Sequence, residues 1–238
     1  MITLGASGDK PKKYPQFKAS IDLFDAVPGT RQYTVPDGVT QIRVSVVGPG
    51  GNGSGPESNT TGLANSGGGG GYSEKVLSVT PGQVISYTVG APSGTSSFGG
   101  VISATSGKTP TSTSTGQVCV GGDGVGGDIN FSGGSGLGTQ YAAGGGAASR
   151  FGNGQAAFFV ANTSRSHPGG FSMARVLDGW GLGLVFGEYG VSGAKNQMGV
   201  GGRWSIDGDI TFDRPGVGGG GSTYQTGGPG AVIVEVLA

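Results

Sequence analysis

An all-β fold is what this sequence predicts: a β-sandwich of short antiparallel strands joined by ordered glycine-rich segments, with almost no helix. Three observations carry the prediction. Glycine fills 56 of 238 positions, about three times its average share of roughly 7%, and it is gathered into runs. The segments between the runs alternate apolar and polar residues with a period of two. No amphipathic stretch of ten residues offers a helix, because glycine, serine and threonine dominate throughout.

Taken in order, residues 1–30 form a distinct N-terminal segment with a local cluster of lysines. Tyr14, Phe17, Ile21, Leu23 and Phe24 are its candidate docking residues. The pattern is too mixed for a helix and suits an edge strand or a contact with another chain. Strand signals begin at Arg31, with Gln32–Val35 running into a Pro36-Asp37-Gly38 turn. From Val39 to Val47, Ile42, Val44 and Val46 point one way and Gln41, Arg43 and Ser45 the other. Tyr72–Val79 and Val84–Val89 are strands on either side of a Pro81-Gly82 turn. Ile85, Tyr87 and Val89 share one face. Ser97–Gly99, Val101–Thr105 and Asp128–Phe131 continue the rhythm, and Ala231–Leu237 is a strongly apolar last strand. Residues 31–238 are read as one glycine-rich β domain carrying an aromatic-rich insertion at 151–214.

The glycine runs need a structure of their own. They are Gly48–Gly55, Gly67–Gly71, Gly121–Gly127, Gly133–Gly138, Gly144–Gly146, Gly199–Gly202 and Gly216–Gly221. Glycine gains nothing from side-chain burial and loses the most backbone freedom on folding, so ordered runs must recover stability elsewhere. Consecutive glycines favour the extended, threefold, left-handed helix, which has no internal hydrogen bonds. Packed together, such helices must bond their N–H and C=O groups to neighbours. Polyglycine II-like segments, held by backbone hydrogen bonds, are therefore expected, and backbone dihedrals in Gly67–Gly71 and Gly218–Gly221 discriminate them from ordinary turns. The strict three-residue repeat of collagen is missing.

Composition narrows the function classes. Fourteen basic and fourteen acidic residues cancel, and only 12% of the chain is charged. No basic stripe for nucleic acid appears beyond Lys10-Pro11-Lys12-Lys13, which reads as a solvated arm. No stretch reaches the roughly 18 apolar residues of a membrane span, and Met1-Ile2-Thr3-Leu4 lacks the features of a signal peptide. The expectation is a product made in the cytoplasm without membrane insertion. The single cysteine, Cys119, has no internal partner and reads as a small buried apolar residue.

Three stretches together resemble a known family. They are Tyr33–Val44 with Val46–Gly51; Gly67–Val76 with Val79–Gln83 and Tyr87–Gly90; and Gly218–Ser222 with Gly228–Glu235. The ordered series is similar to the glycine-rich domain of tail-fibre and related virion proteins of tailed bacteriophages. It covers roughly 31–135 and 216–238 well and 140–215 poorly. In style, polyglycine bundles that display variable loops also resemble the tail-fibre tip adhesins of T-even-type phages. The resemblance implies a non-enzymatic structural or adhesive protein assembled into a virion in the host cytoplasm. It also implies a homotrimer as the default state.

The chain departs from that family between Phe151 and Arg214, where a nearly pure Gly/Ser/Asn stretch is usual. Here the interval holds both tryptophans and a set of aromatics and arginines, with Arg150 at its edge. Such enrichment serves protein interfaces and carbohydrate stacking, or a local hydrophobic core. Phe158, Phe159, Trp180, Phe186, Tyr189, Arg203 and Trp204 are the candidate receptor or subunit contacts. Tyr14, Phe17 and Phe24 are the candidate contacts to the virion. The polar loops 56–66 and 107–116 are expected to face the ligand or a sister subunit.

Signals for catalysis or cofactors are weak. His167 is the only histidine, in the turn-like Ser166-His167-Pro168-Gly169, and no strand–helix nucleophile elbow is present. One histidine and one cysteine do not make a zinc site. Ser106-Gly107-Lys108-Thr109 ends like a phosphate loop, but the leading glycine position holds Ile102 and no helix follows. It reads as an exposed polar loop. Gly121–Asp128 lacks the repeat and aspartate spacing of a calcium nonapeptide, and Asp207, Asp209 and Asp213 read as a solvated strand and turn. No cofactor and no metal are expected.

The expected function is therefore a virion component of the tail fibre or baseplate. Residues 1–30 would contact other virion proteins, and the insertion a host cell-surface glycan or protein. The alternative is a purely structural head-fibre, decoration or collar protein. An ice-binding bundle fails on its missing period, and a depolymerase ranks last for want of a carboxylate pair.

Overall fold

The computed structural model describes residues 20–54, 65–111, 117–137, 143–157, 166–167, 204–205, 217–221 and 225–237. Its strands are β1 (Ser20–Asp25), β2 (Gly29–Thr34), β3 (Gln41–Val47), β4 (Tyr72–Ser78), β5 (Val84–Val89) and β6 (Thr95–Phe98). They continue with β7 (Ile102–Thr105), β8 (Gly124–Val125), β9 (Ile129–Phe131), β10 (Ser166–His167), β11 (Trp204–Ser205) and β12 (Ala231–Val236). Two five-stranded antiparallel sheets result, in the orders β1-β12-β3-β4-β9 and β2-β5-β6-β7-β8. β10 and β11 pair with each other, which sets His167 opposite Trp204. There is no helix among the described residues, and the all-β sandwich expected from the sequence is what forms.

The alternation in the strands decides the core. Ile42, Val44 and Val46 of β3 and Val232 and Val234 of β12 face Ile85, Tyr87, Val89, Phe98, Ile102 and Ala104 from the other sheet. Phe98 is fully buried at the centre, with Tyr33 and Tyr87 rings 6.0 and 6.3 Å away. One corner is closed by the chain passing from β1 to β2. Tyr33 donates to Asp22 (2.7 Å), Tyr87 donates to Asp25 (3.0 Å), and Arg31 pairs with Asp25 (2.8 Å). Of the N-terminal segment, Ser20–Asp25 thus forms an edge strand, irregular between Ile21 and Leu23, against β12.

Beyond one end of the sandwich the glycine runs pack as a bundle of extended segments, and the segment 65–71 lies at its centre. Its donors turn with a period of three. Ser66 and Gly69 donate to Leu137 and Gly134; Gly67 and Gly70 donate to Gly221 and Gly218; Gly68 and Gly71 donate to Lys108 and Thr105. Its carbonyls face three further segments. Asn65, Gly68 and Gly71 accept from Ser54, Gly51 and Gly48; Gly67 and Gly70 accept from Gly145 and Ala148; Gly69 accepts from Gly122. Six neighbours around one threefold helix is the packing of polyglycine II. Gly67–Gly71 take no positive φ, and within Gly218–Gly221 only Gly218 does. The glycine segments are thus extended helices rather than a string of turns, as their composition implied.

Absence of side chains is what lets these backbones meet. A Cβ on Gly67, Gly68, Gly69 or Gly70 would fall well inside 3.0 Å of carbonyl groups in Gly51, Val120, Gly146 and Gly48. Those obstacles are backbone atoms with bonding partners of their own, so no rotamer change relieves the clash. Two readings are corrected here. Ser106–Thr109 is not a free polar loop: Gly107 donates to Pro49, Lys108 donates to Val120, and Gly107 is buried against Gly68. Asn65 and Ser66 likewise leave the expected ligand-facing loop 56–66, because both are fully buried in the central segment.

The substitution Gly69→Ala is expected to destabilise the protein by more than about 3 kcal/mol, because overpacking has no side chain to move. Gly38→Ala meets open space and should cost only the strain of a left-handed residue, about 1–2 kcal/mol. Denaturant midpoints of the two variants against the parent check the contrast.

Candidate functional site at the far end of the bundle

Strand directions and bundle register give the molecule two different ends. From Val47 the chain runs away from the sandwich to Ser54 and returns from Asn65 to Tyr72, bonded at 48–71, 51–68 and 54–65. It leaves again from Thr105 to Thr111 and returns from Gln117 to Asp123, with Lys108 bonded to Val120. A third excursion runs from Ser132 to Leu137 and back from Ala143 to Ala148; a fourth runs outward from Gly154 to Ala157, parallel to the 132–137 segment. The last goes from Gly218 to Gly221 and returns from Gln225 to Gly230. The described segments ending at Ser54, Thr111, Leu137, Ala157 and Gly221 therefore end on the side of the bundle remote from the sandwich.

Side chains tie that far end together. Asn65 Oδ1 accepts from the Gln117 N–H (3.1 Å), and Gln117 exchanges hydrogen bonds with Thr111 at 3.0 and 3.1 Å. Ser66 Oγ donates to the carbonyls of Leu137 and Ala143. Asn52 Oδ1 accepts from the Gly227 N–H (3.0 Å), which holds the returning C-terminal segment to the first excursion. The result is a polar, hydrogen-bonded layer at the far end of the bundle. Cys119, two residues inside this layer, is buried, and burial pushes its thiol up. That agrees with a small apolar residue.

Most of the candidate contact residues lie elsewhere in the chain. Tyr14, Phe17, Phe158, Phe159, Trp180, Phe186, Tyr189 and Arg203 fall outside the described residues, as do Asp207, Asp209 and Asp213. Trp204 lies in β11, paired with His167, which is therefore in a strand rather than the turn suggested by Pro168-Gly169. Phe24 sits on edge strand β1 and is 39% exposed. Among the described residues no group of three acidic, histidine or cysteine side chains is placed to hold a metal ion.

Sequence reasoning missed the best-built polar cluster. Glu235 lies opposite Arg43 across β12 and β3, and Ser45 lies opposite Glu74 across β3 and β4, all on the outer face of the first sheet. Arg150, in the turn between two bundle segments, reaches down onto them. Its Nε and Nη2 donate to Glu74 Oε2 at 3.0 and 2.6 Å, and Nη2 also reaches Glu235 at 3.4 Å. Arg43 approaches Glu235 (3.4 Å) and Glu74 (3.7 Å). Tyr72 donates its hydroxyl to Glu74 and lies 2.8 Å from Ser45 Oγ. The visible signal was one glutamate in each of two otherwise strand-like, largely apolar stretches. The sequence did not show that an arginine 76 residues from Glu74 would meet it.

Two carboxylates and two guanidinium groups balance in charge, and each acid has direct donors. Burial by itself would lower the Arg150 pKa, but the hydrogen bond and charge of Glu74 outweigh it and keep the guanidinium protonated. Burial, with Glu74 beside it, pushes the Tyr72 phenol well above its ordinary range. The cluster fastens the turn at Ser149–Gly152 to the first sheet.

Replacing Arg150 with methionine removes two hydrogen bonds from Glu74 and one from Glu235, and a loss of about 3–5 kcal/mol is expected in equilibrium unfolding. The tyrosine gives a pH signature. Its folded pKa is raised, so the unfolded chain loses the proton first, and stability should fall as pH rises above about 10. Denaturant titrations from pH 8 to 11 should show this slope, and Tyr72→Phe should make it shallower by up to about 1.4 kcal/mol per pH unit.

No curated protein matches the chain. A family model described as a glycine-rich domain matches residues 25–236, which takes in the bundle, the second sheet and every strand of the first sheet but β1. The chain therefore belongs to the glycine-rich domain family.

Proposed function

We propose that the chain is a non-enzymatic virion component of a tailed bacteriophage, an adhesin of the tail fibre or baseplate that contacts the host surface. The observation that carries this reading is the polarity of the fold. Ser20 and Leu237 lie at the sandwich end, because β1 and β12 pair with Ser20 opposite Val236. The bundle excursions end at the other. A rigid stalk of this kind separates an attachment end from a presenting end. The N-terminal segment, with Tyr14, Phe17 and Phe24, supplies contacts to other virion proteins. The interval containing Phe158, Phe159, Trp180, Phe186, Tyr189, Arg203 and Trp204 supplies the host-facing contacts, to a glycan or a surface protein.

Backbone hydrogen bonding suits this task. A scaffold that needs few side chains leaves sequence between its segments free to vary without loss of the core. Weak single contacts become effective through copy number, and a homotrimer multiplies them. The reading needs no cofactor, metal, nucleic acid or membrane insertion.

Binding of the fluorescently labelled protein to a panel of bacterial strains, with competition by their surface polysaccharides, tests it. The double variant Trp180→Ala/Trp204→Ala should lose at least tenfold in binding while keeping the parent's unfolding midpoint. Binding to no strain, with the chain still incorporated into particles, would favour the head-fibre, decoration or collar role instead. Native mass measurement checks the trimer.

A further inference from the structure

The last part of the chain occupies the middle of everything. β12 is not an edge strand but lies between β1 and β3, with Val232, Ile233 and Val234 at most 1% exposed. Immediately before it, residues 217–221 and 225–230 supply two segments of the bundle. They accept the Gly67 and Gly70 donors of the central segment at 2.8 and 2.7 Å. They also accept from Gly50 and Gly53, both at 2.9 Å. Gly220 donates to Gly145, and Gly230 donates to Gly90 beside the second sheet. Glu235 completes the charge cluster around Arg43 and Arg150.

We infer that residues 217–221 and 225–237 act as a closing clasp: neither the sandwich nor the bundle acquires stable structure until these segments insert, so folding is gated on them. Without β12, the inward face of the first sheet loses Val232 and Val234, and Phe98, Tyr87 and Ile85 lose much of the surface they pack against. Without residues 217–221 and 225–230, the N–H groups of Gly50, Gly53, Gly67 and Gly70 lose their carbonyl partners, and fewer bonds remain to offset the entropy of ordering glycine. A polyglycine helix has no internal hydrogen bonds to fall back on. Segment 65–71 therefore depends on its neighbours alone to stay ordered. A consequence for assembly is that a chain lacking the clasp offers neither end of the stalk to a partner.

Pulsed hydrogen exchange during refolding of the full chain tests the clasp. The amide of Val35 (bonded to Gln83) and that of Gly99 (bonded to Ser86) report on the second sheet; those of Gly67 and Gly70 report on the bundle. All four should gain protection in one phase, together with the amides of β12. Protection of Val35 and Gly99 in an earlier, separate phase would overturn the inference. A full-length Gly220→Ala variant gives the equilibrium arm, since its Cβ would strike Gly67 and Gly68 and nothing in the second sheet is among its nearest obstacles. Loss of native-state protection at Val35 and Gly99 by at least a hundredfold is expected; unchanged protection there would equally refute gating.

Discussion

The hydrogen bond between bare peptide groups at a separation that a methyl would forbid is the constraint on which this structure rests. A β-ladder satisfies its backbone in one plane and leaves side chains to fill the space above and below. The segment 65–71 does something different. Its donors point in three directions and its acceptors in three more, so six neighbours enclose it without one apolar side chain among its residues. The stabilising quantity is complete pairing of buried polar groups, and the requirement for it is glycine at each crossing. That is why glycine content here signals order, whereas the same content without pairing partners would signal a flexible linker.

The sandwich and the bundle solve complementary problems. A β-sandwich of short strands buries apolar side chains around Phe98, and its strands set the starting points for the excursions beyond it. The bundle holds those excursions in register but has little hydrophobic driving force of its own. Joining them end to end lets the sandwich orient the bundle, while the bundle supplies a rigid extension. Arg150 adds a second fastening at the junction, a charge-balanced one that ties the turn at Ser149–Gly152 to the outer face of β3, β4 and β12. Buried ion pairs of this kind contribute modestly to net stability but are costly to break, which suits a joint better than a core.

Much of the fold was legible in the residues. Period-two alternation located β3 and β5 to within two residues, because each buries one face against the opposite sheet and must alternate, and the apolar run at 231–237 located β12. β8 was not seen, since Gly124-Val125 is too short to carry a period, and β1 was obscured by its irregular register between Ile21 and Leu23. The charge cluster was illegible for a different reason. Glu74, Arg43, Glu235 and Arg150 come from positions up to 192 residues apart, and no local pattern announces that they converge. The same holds for Ser106–Thr109, polar by composition yet packed into the bundle by the glycine between its neighbours.

What the sequence determined by itself was the material: short alternating strands, glycine runs too long and too frequent for turns, and the threefold conformation such runs prefer. Those follow from steric limits on single residues and their near neighbours. What only the tertiary structure decided was the arrangement. It selected segment 65–71 as the one surrounded on all sides, placed β12 in the middle of its sheet, gathered the excursions at one end, and drew Arg150 onto two glutamates. Hydrogen bonds between extended segments carry no side-chain code, so which segment meets which is settled by the chain's connectivity and by the sandwich that fixes where each excursion begins.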